Sequence, residues 1–317
     1  MKRKTISLLI IAMLASSFAA IFVKWSHAPA TIISMYRMYL ACVLLAPMAW
    51  IHRHQWAKLN LKEWGYLVLA GILLATHFAL WFESLKLTTV ASSMIITALQ
   101  PLVALLGGYL IYHETTNIHG LLAIGISILG IAFVAWGDFG QHHLTTLLGD
   151  LLSFLCIIAL VSYMLIGQHH VKEISFWTYS FSVFFIAGVT LNLFNLVTQT
   201  PIGGYSGHDW HIFWLLAIFP TAAHVIYNYL LKYVNTTVIS MSMLGEPVGA
   251  TLLAIPLLGE VVTFWQLVGG LIVLGGIILY LRRWNPIQKQ RLRKLGSFLN
   301  LCLFNVSFSS FYPVFSD

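Results

Sequence analysis

The chain has 317 residues, of which 59% are apolar and 9% charged, far below the ~25% charged of an ordinary soluble domain, so a soluble globular protein is excluded. The formal charge of +7 is scattered over segment ends and the C-terminal stretch, so it forms no continuous phosphate-binding surface and excludes nucleic acid as a partner. Cys42, Cys156 and Cys302 have no paired spacing, which argues against a disulfide framework or a zinc site.

Met1 to Lys4 is basic and leads into the apolar run Thr5–Val23. That run is longer than a signal-peptide core and further apolar runs follow, so it is expected to be a first membrane span. The remaining runs lie at about 31–51, 63–82, 88–112, 118–136, 147–167, 176–198, 211–231, 237–258 and 263–281. The fold class is therefore an all-α integral membrane protein with ten transmembrane helices. The polar, Gly-containing stretch 137–143 reads as a linker between the fifth and sixth spans, and the longest loop, 200–209, reads as a flexible connection. Residues 284–317 read as a basic, then mixed-polarity, cytoplasmic tail.

Placing the N-terminus in the cytoplasm puts 14 Lys and Arg residues on the inside and only Lys24 and Lys86 outside, with Arg37 inside a span. This bias predicts a cytoplasmic (inner) membrane protein with both termini cytoplasmic.

The chain repeats at an offset of 146 residues. Pro101 falls on Pro247 and Glu114 on Glu260, so both halves read Pro, twelve residues, Glu. Trp64 falls on Trp210, Glu63 on Asp209, Lys86 on Lys232 and Gly130 on Gly276. Leu-rich helices match by chance at Leu, Ile and Val, whereas Pro, Trp, Lys and Glu are scarce here, so their recurrence marks a duplication. Two units are expected, residues 1–137 and 138–283. Each holds five spans, an odd number, so the second enters the membrane from the opposite side, giving two inverted five-helix repeats.

The duplicated Pro-to-Glu spacing, the Pro29-to-Arg37 entry to the second span and the run from Thr76 to Pro101 together resemble an EamA-type member of the drug/metabolite transporter (DMT) superfamily. The resemblance covers about residues 5–283 and implies a ten-helix bundle around a central cavity. Spans 1, 3, 4, 6, 8 and 9 would line that cavity, with spans 5 and 10 peripheral. It also implies export or uptake of small metabolites and no cofactor.

Candidate transport residues follow from the cost of polarity in lipid. A carboxylate at a helix centre costs ~2.5–3.5 kcal/mol on insertion scales, so Glu246, near the middle of its span, needs a reason to be there. Its repeat mate is Gln100, and Pro101 and Pro247 beside them break the helix and free backbone carbonyls at the same depth. Ser93, Thr97 and Gln100 recur on one face of the fourth span, as do Ser242 and Glu246 in the ninth. Hydrocarbon satisfies no hydrogen bond, so these faces should look inward. His77 and His224 lie mid-span in the third and eighth spans. His224 with Glu246 is a plausible proton-coupling pair, and a neutral histidine bonded to a carbonyl is equally consistent. Asn228, Tyr227, Trp81 and Tyr163 complete the expected substrate pathway. Trp214 is an aromatic that could line the same route.

Arg37, Glu114 and Glu260 are expected to be structural. Arg37 would snorkel outward or pair with Glu83 or Asp150, with contact to an anionic substrate as its second reading, and the two glutamates would tie backbone amides at the following helix starts. The histidines at 142–143, 169–170, 208 and 211 lack multidentate spacing, so no metal site is expected. The leading expectation is a secondary transporter moving a small metabolite such as an amino acid or related amphiphile, by export and alternating access, with protons as the coupling ion. It would work in the bilayer as a monomer or homodimer. A passive channel-like facilitator is the alternative. An intramembrane enzyme would need a nucleophile with a base or a metal set, and none is evident.

Overall fold

A computed structural model describes residues 3–87, 93, 96–135, 144–258 and 264–283. The linker 137–143, Glu260 and the tail from 284 onward lie outside the described residues. The described elements are helical: α1 (Arg3–Trp25), α2 (Ala30–Ile51), a 3-10 turn (Arg53–Lys58), α3 (Leu61–Leu87), α4 (Gln100–Tyr112), α5 (Ile118–Ala135), α6 (Leu144–His170), α7 (Phe176–Val197), α8 (Gly207–Leu230), α9 (Thr236–Met243), α10 (Glu246–Leu258) and α11 (Phe264–Arg283). Among them, α1, α2, α3, α6, α7 and α8 are long and apolar enough to cross a bilayer alone.

The ninth expected span is two helices, and the fourth is broken at the equivalent place. Residues 98–99 and 244–245 are turns, and each following helix begins Gln100-Pro101 or Glu246-Pro247. Proline suits the first turn of a helix because its missing N–H would have no intrahelical acceptor there. The same residue that ends one half-span therefore starts the next. This interruption accounts for the shorter helices at spans 4 and 9.

The packing obeys the repeat. α3 packs on α6 as α8 packs on α1, α3 on α7 as α8 on α2, and α4 on α6 as α10 on α1. Two contacts are their own images: α2 with α7, and α5 with α11. The α5–α11 contact is close enough to show the register. A side chain built at Gly130 would meet the backbone N of Val273 at 2.7 Å and O of Gly269 at 2.8 Å. One at Gly276 would meet the carbonyl O of Ala123 at 2.9 Å and collide with the Ser127 hydroxyl. At the offset of 146, Gly130 becomes Gly276 and Ser127 becomes Val273, so the two close approaches exchange.

Helix starts repeat as well. At α3, Asn60 N donates to Glu63 (2.7 Å) and Glu63 N donates to Asn60 (2.9 Å). At α8, Asp209 N donates to Ser206 (3.2 Å), whose hydroxyl donates back to the Asp209 carboxylate (2.7 Å). Ser206 and Asp209 occupy the positions of Asn60 and Glu63, and both pairs satisfy backbone amides that a helix start leaves open. The loop before α8 is also pinned: Tyr36 donates to Ile202 O at 2.5 Å, and Tyr205 packs against Tyr36 and Phe213. The expected flexible connection is thus tied down by aromatic contacts.

The outer surface is apolar, with Val43, Leu44, Leu106, Leu110, Leu122, Leu129 and Leu193 among its exposed side chains, while Gln100, Ser180, Asn195 and Asn228 are buried. This inside-out distribution is that of an integral membrane protein, where lipid takes the apolar face and polar groups turn inward.

Candidate functional site: a central cavity between the two halves

The interrupted helices and α1, α2, α3, α5, α6 and α8 surround a cavity of about 320 Å³. Of the residues singled out from sequence, Glu246, Gln100, His77, His224, Trp81, Ser93, Thr97, Pro247 and Arg37 line it. Sequence reasoning missed Ser16, Ser17, Phe78, Phe82 and Pro220. Serines in a first apolar helix carry no distinguishing signal, because their role depends on which helix lies opposite.

Glu246 is held from two helices. Tyr227 of α8 donates its hydroxyl to Oε1 at 3.3 Å, and Ser16 of α1 is a second side-chain partner. Ser17 donates to the backbone carbonyl of Glu246 at 3.2 Å. Gly249 makes this approach possible, since any side chain there would collide with the Ser17 hydroxyl. The hydrogen bond from the eighth span therefore comes from Tyr227, one turn from His224. His224 instead sits edge-on to Phe78 and Tyr227, with ring centroids 5.9 and 6.3 Å apart.

Gln100, the repeat mate of Glu246, donates to Ser240 at 3.1 Å and approaches Met243 Sδ at 3.4 Å. It thereby joins the fourth span to the ninth. Ser93 accepts from Ser153 at 3.0 Å. His77 Nδ1 lies 3.1 Å from the Cys156 carbonyl, which can only accept, so Nδ1 carries the proton in this contact. His77 stacks on Trp81 (6.1 Å, 12°) and Trp81 on Phe82 (5.1 Å, 24°), so α3 offers the cavity an aromatic layer.

Arg37 is 2% exposed. Its Nε donates to Thr221 Oγ1 at 3.3 Å, and its guanidinium lies 4.6 Å above the Phe78 ring. These contacts, and electrostatic attraction to Glu246, stand where pairing with Glu83 or Asp150 was expected.

Four expected pathway residues and Pro101 lie off the cavity wall. Tyr163 donates to Asn228 Oδ1 at 2.6 Å and Asn228 donates to Ser180 at 3.0 Å, a closed chain across α6, α8 and α7. Ser242 donates to its own helix at Ile239 O, 2.8 Å. Tyr227 reaches the site through its side-chain contacts with Glu246 and Ser16. Trp214 is 38% exposed and outside the wall.

The wall residues are not spread evenly along the helices. Val23 is near the end of α1, Trp81 and Phe82 near the end of α3, and Ile131 near the end of α5, all toward the face that carries residues 26–29. Toward the opposite face the halves are tied together. Glu114 accepts from Gln168 (2.8 Å) and from Asn235 (2.8 Å), while the Gln168 side-chain oxygen accepts from Thr236 N (2.6 Å). Tyr112 donates to Leu165 O at 2.6 Å beside them. Glu114 was expected to serve local backbone amides; its carboxylate instead bridges side chains of the other half. The Tyr163–Asn228–Ser180 chain lies on this same side, between the cavity and the bridge.

Comparison with known proteins agrees with this architecture. The EamA-like transporter family matches the sequence twice, over residues 3–136 and 147–282. A protein of Archaeoglobus fulgidus named an uncharacterized transporter is 26% identical over 289 residues, covering 88% of this chain and 98% of the relative. A crystal structure of another protein superposes with a TM-score of 0.76 at 14% identity, covering 88% of this chain and 96% of that one, which shows a shared fold.

Proposed function

This chain belongs to the EamA-like transporter family, and from that premise we propose that it is a secondary carrier of a small metabolite in the cytoplasmic membrane, working by alternating access. The observation that carries this reading is the asymmetry of the central cavity. Its wall reaches toward one face, where Asp209 holds Ser26 and His27 at the α1–α2 connection, while at the other face Glu114 joins the end of α4 to Gln168 of α6 and Asn235 at the start of α9. With both termini cytoplasmic, as the 14-to-2 distribution of Lys and Arg supports, the open side is the outer one. The arrangement is then an outward-facing state closed on the cytoplasmic side.

Related halves make the second state available at small energetic cost. The main helix contacts between the halves, α3–α6 with α8–α1, α3–α7 with α8–α2 and α4–α6 with α10–α1, are counterparts under the repeat, so exchanging the conformations of the two halves yields an inward-facing bundle with similar packing. Glu246 and Gln100 stand at matching breaks in the two halves and form the floor of the cargo site. Glu246 is the group that would take up and release a proton during the cycle, and export is the direction that fits a cargo released outward.

Uphill movement separates a carrier from a passive facilitator. Cells with and without this protein are compared for retained and released metabolites to identify the cargo. The purified protein is then reconstituted in vesicles with an imposed proton gradient. Accumulation above the equilibrium level is expected; dissipation only, at every gradient applied, would assign the protein to the facilitators.

A further inference from the structure

Among the described residues of the cavity wall, Arg37 is the sole arginine or lysine. Its Nε is used by Thr221 and one face of its guanidinium is covered by Phe78, but its Nη2 is buried with no protein acceptor. Buried donors are nearly always satisfied, so a cationic N–H left open in a cavity wall marks the place of an acceptor that the protein does not supply.

The remaining wall narrows what that acceptor belongs to. His77, Trp81 and Phe82 form a stacked layer in the wall, and Ala19, Ala98 and Ala250 are small residues of the same wall. Flat apolar groups fit against such a layer. At about 320 Å³ the cavity is at the small end of ligand pockets, which run from roughly 300 to 1,000 Å³. Glu246 shares the wall and is coupled electrostatically to Arg37. A ligand with two negative charges would leave one of them unpaired beside that carboxylate in a desolvated site.

We propose that the cavity takes a small monocarboxylate with a planar apolar body, its carboxylate accepting from the terminal N–H groups of the Arg37 guanidinium and its body lying on the Trp81–Phe82 layer. This rests on the reading of the cavity as the cargo site.

The test uses the full chain in lipid nanodiscs and equilibrium binding of radiolabelled phenylacetate, with phenylacetamide, benzylphosphonate and phenethylamine as competitors. Phenylacetate is expected to bind ~10-fold or more tightly than its amide, since a hydrogen bond to a charged group distinguishes them. Arg37→Met should bring acid and amide level. Arg37→Lys, which keeps the charge but loses Nη2, should lower the acid-to-amide ratio several-fold and serves if the methionine variant does not fold. Equal binding of acid and amide, a preference for the phosphonate or the amine, no acid binding at all, or a ratio unchanged by either substitution would overturn the assignment. Uptake of the same compounds into vesicles keeps the two readings apart. A neutral or cationic compound carried while no acid binds removes the anion site and leaves the carrier; acid-selective binding with nothing carried does the reverse.

Discussion

The Tyr227 hydroxyl donates to Oε1 of Glu246 at 3.3 Å, joining α8 to the first residue of α10 at the depth where both the fourth and ninth spans are interrupted. Ser16 and Ser17 approach the same residue from α1, so the carboxylate is held by groups that tolerate either of its protonation states. A hydroxyl can donate to the ionised form or accept from the neutral one.

Glu246→Gln keeps the shape and the contact with Tyr227 but removes the titrating group. Proton-driven accumulation of cargo in vesicles should therefore be lost, while exchange of cargo across the membrane without a gradient persists. Measuring both in one preparation checks this, and gradient-driven accumulation at the unaltered rate would remove Glu246 from the coupling step.

In the proposed outward-facing state the cytoplasmic closure rests on Glu114, which accepts from the amides of Gln168 and Asn235. Glu114→Ala leaves both donors without that acceptor and weakens the closure. A cysteine placed by Met164→Cys, in a background with the native cysteines replaced by serine, should then react ~10-fold or more faster with an impermeant thiol reagent added from the cytoplasmic side. An unchanged rate would show that the bridge does not hold that face shut.

At the opposite face Asp209 collects the Ser26 hydroxyl (2.8 Å), the His27 amide (3.0 Å) and the Ser206 hydroxyl (2.7 Å). It joins the α1–α2 connection to the start of α8 and is 4% exposed. Asp209→Ala should destabilise the fold by ~1–3 kcal/mol, because the donors lose a charged acceptor and the helix start loses part of its cap. Asp209→Asn should cost less. Thermal unfolding in detergent reads both.

At α5 and α11 the backbones meet through Gly130 and Gly276. Gly130→Ala and Gly276→Ala each place a methyl within 3 Å of backbone that cannot move aside, so each should lower stability by ~1–3 kcal/mol through overpacking. Gly125, with nothing within 4 Å of an added Cβ, is the control, and Gly125→Ala should be neutral or slightly stabilising. Equal melting temperatures for all three would refute the close approach.

The two halves, the all-helical fold and the inward face of the fourth and ninth spans were legible from sequence. The recurrence of scarce residues at one offset survives any arrangement in space, and a carboxylate or a Gln-Pro pair in a long apolar run has only one tolerable direction to face. The breaks themselves were half legible: the prolines marked the place, but a proline can bend a span or end it. Which of these happens depends on the helices packed against the break, as Ser17 of α1 is at the Glu246 carbonyl.

The membership of the cavity was less accessible. Helical spacing says which side of a helix is polar, yet Tyr163, Asn228 and Ser242 have inward positions and spend their hydrogen bonds elsewhere. Arg37, read as half of an ion pair, lines the cavity instead because α3 and α8 bring Phe78 and Thr221 beneath it. Sequence by itself determined that this is a duplicated membrane bundle with a polar interior, since composition, offset and the cost of polarity in lipid are properties of residues along one chain. Tertiary structure alone decided which polar groups face one another and which of them join the two halves, because that depends on how the helices cross, and crossing geometry is set by contacts between residues far apart in the chain.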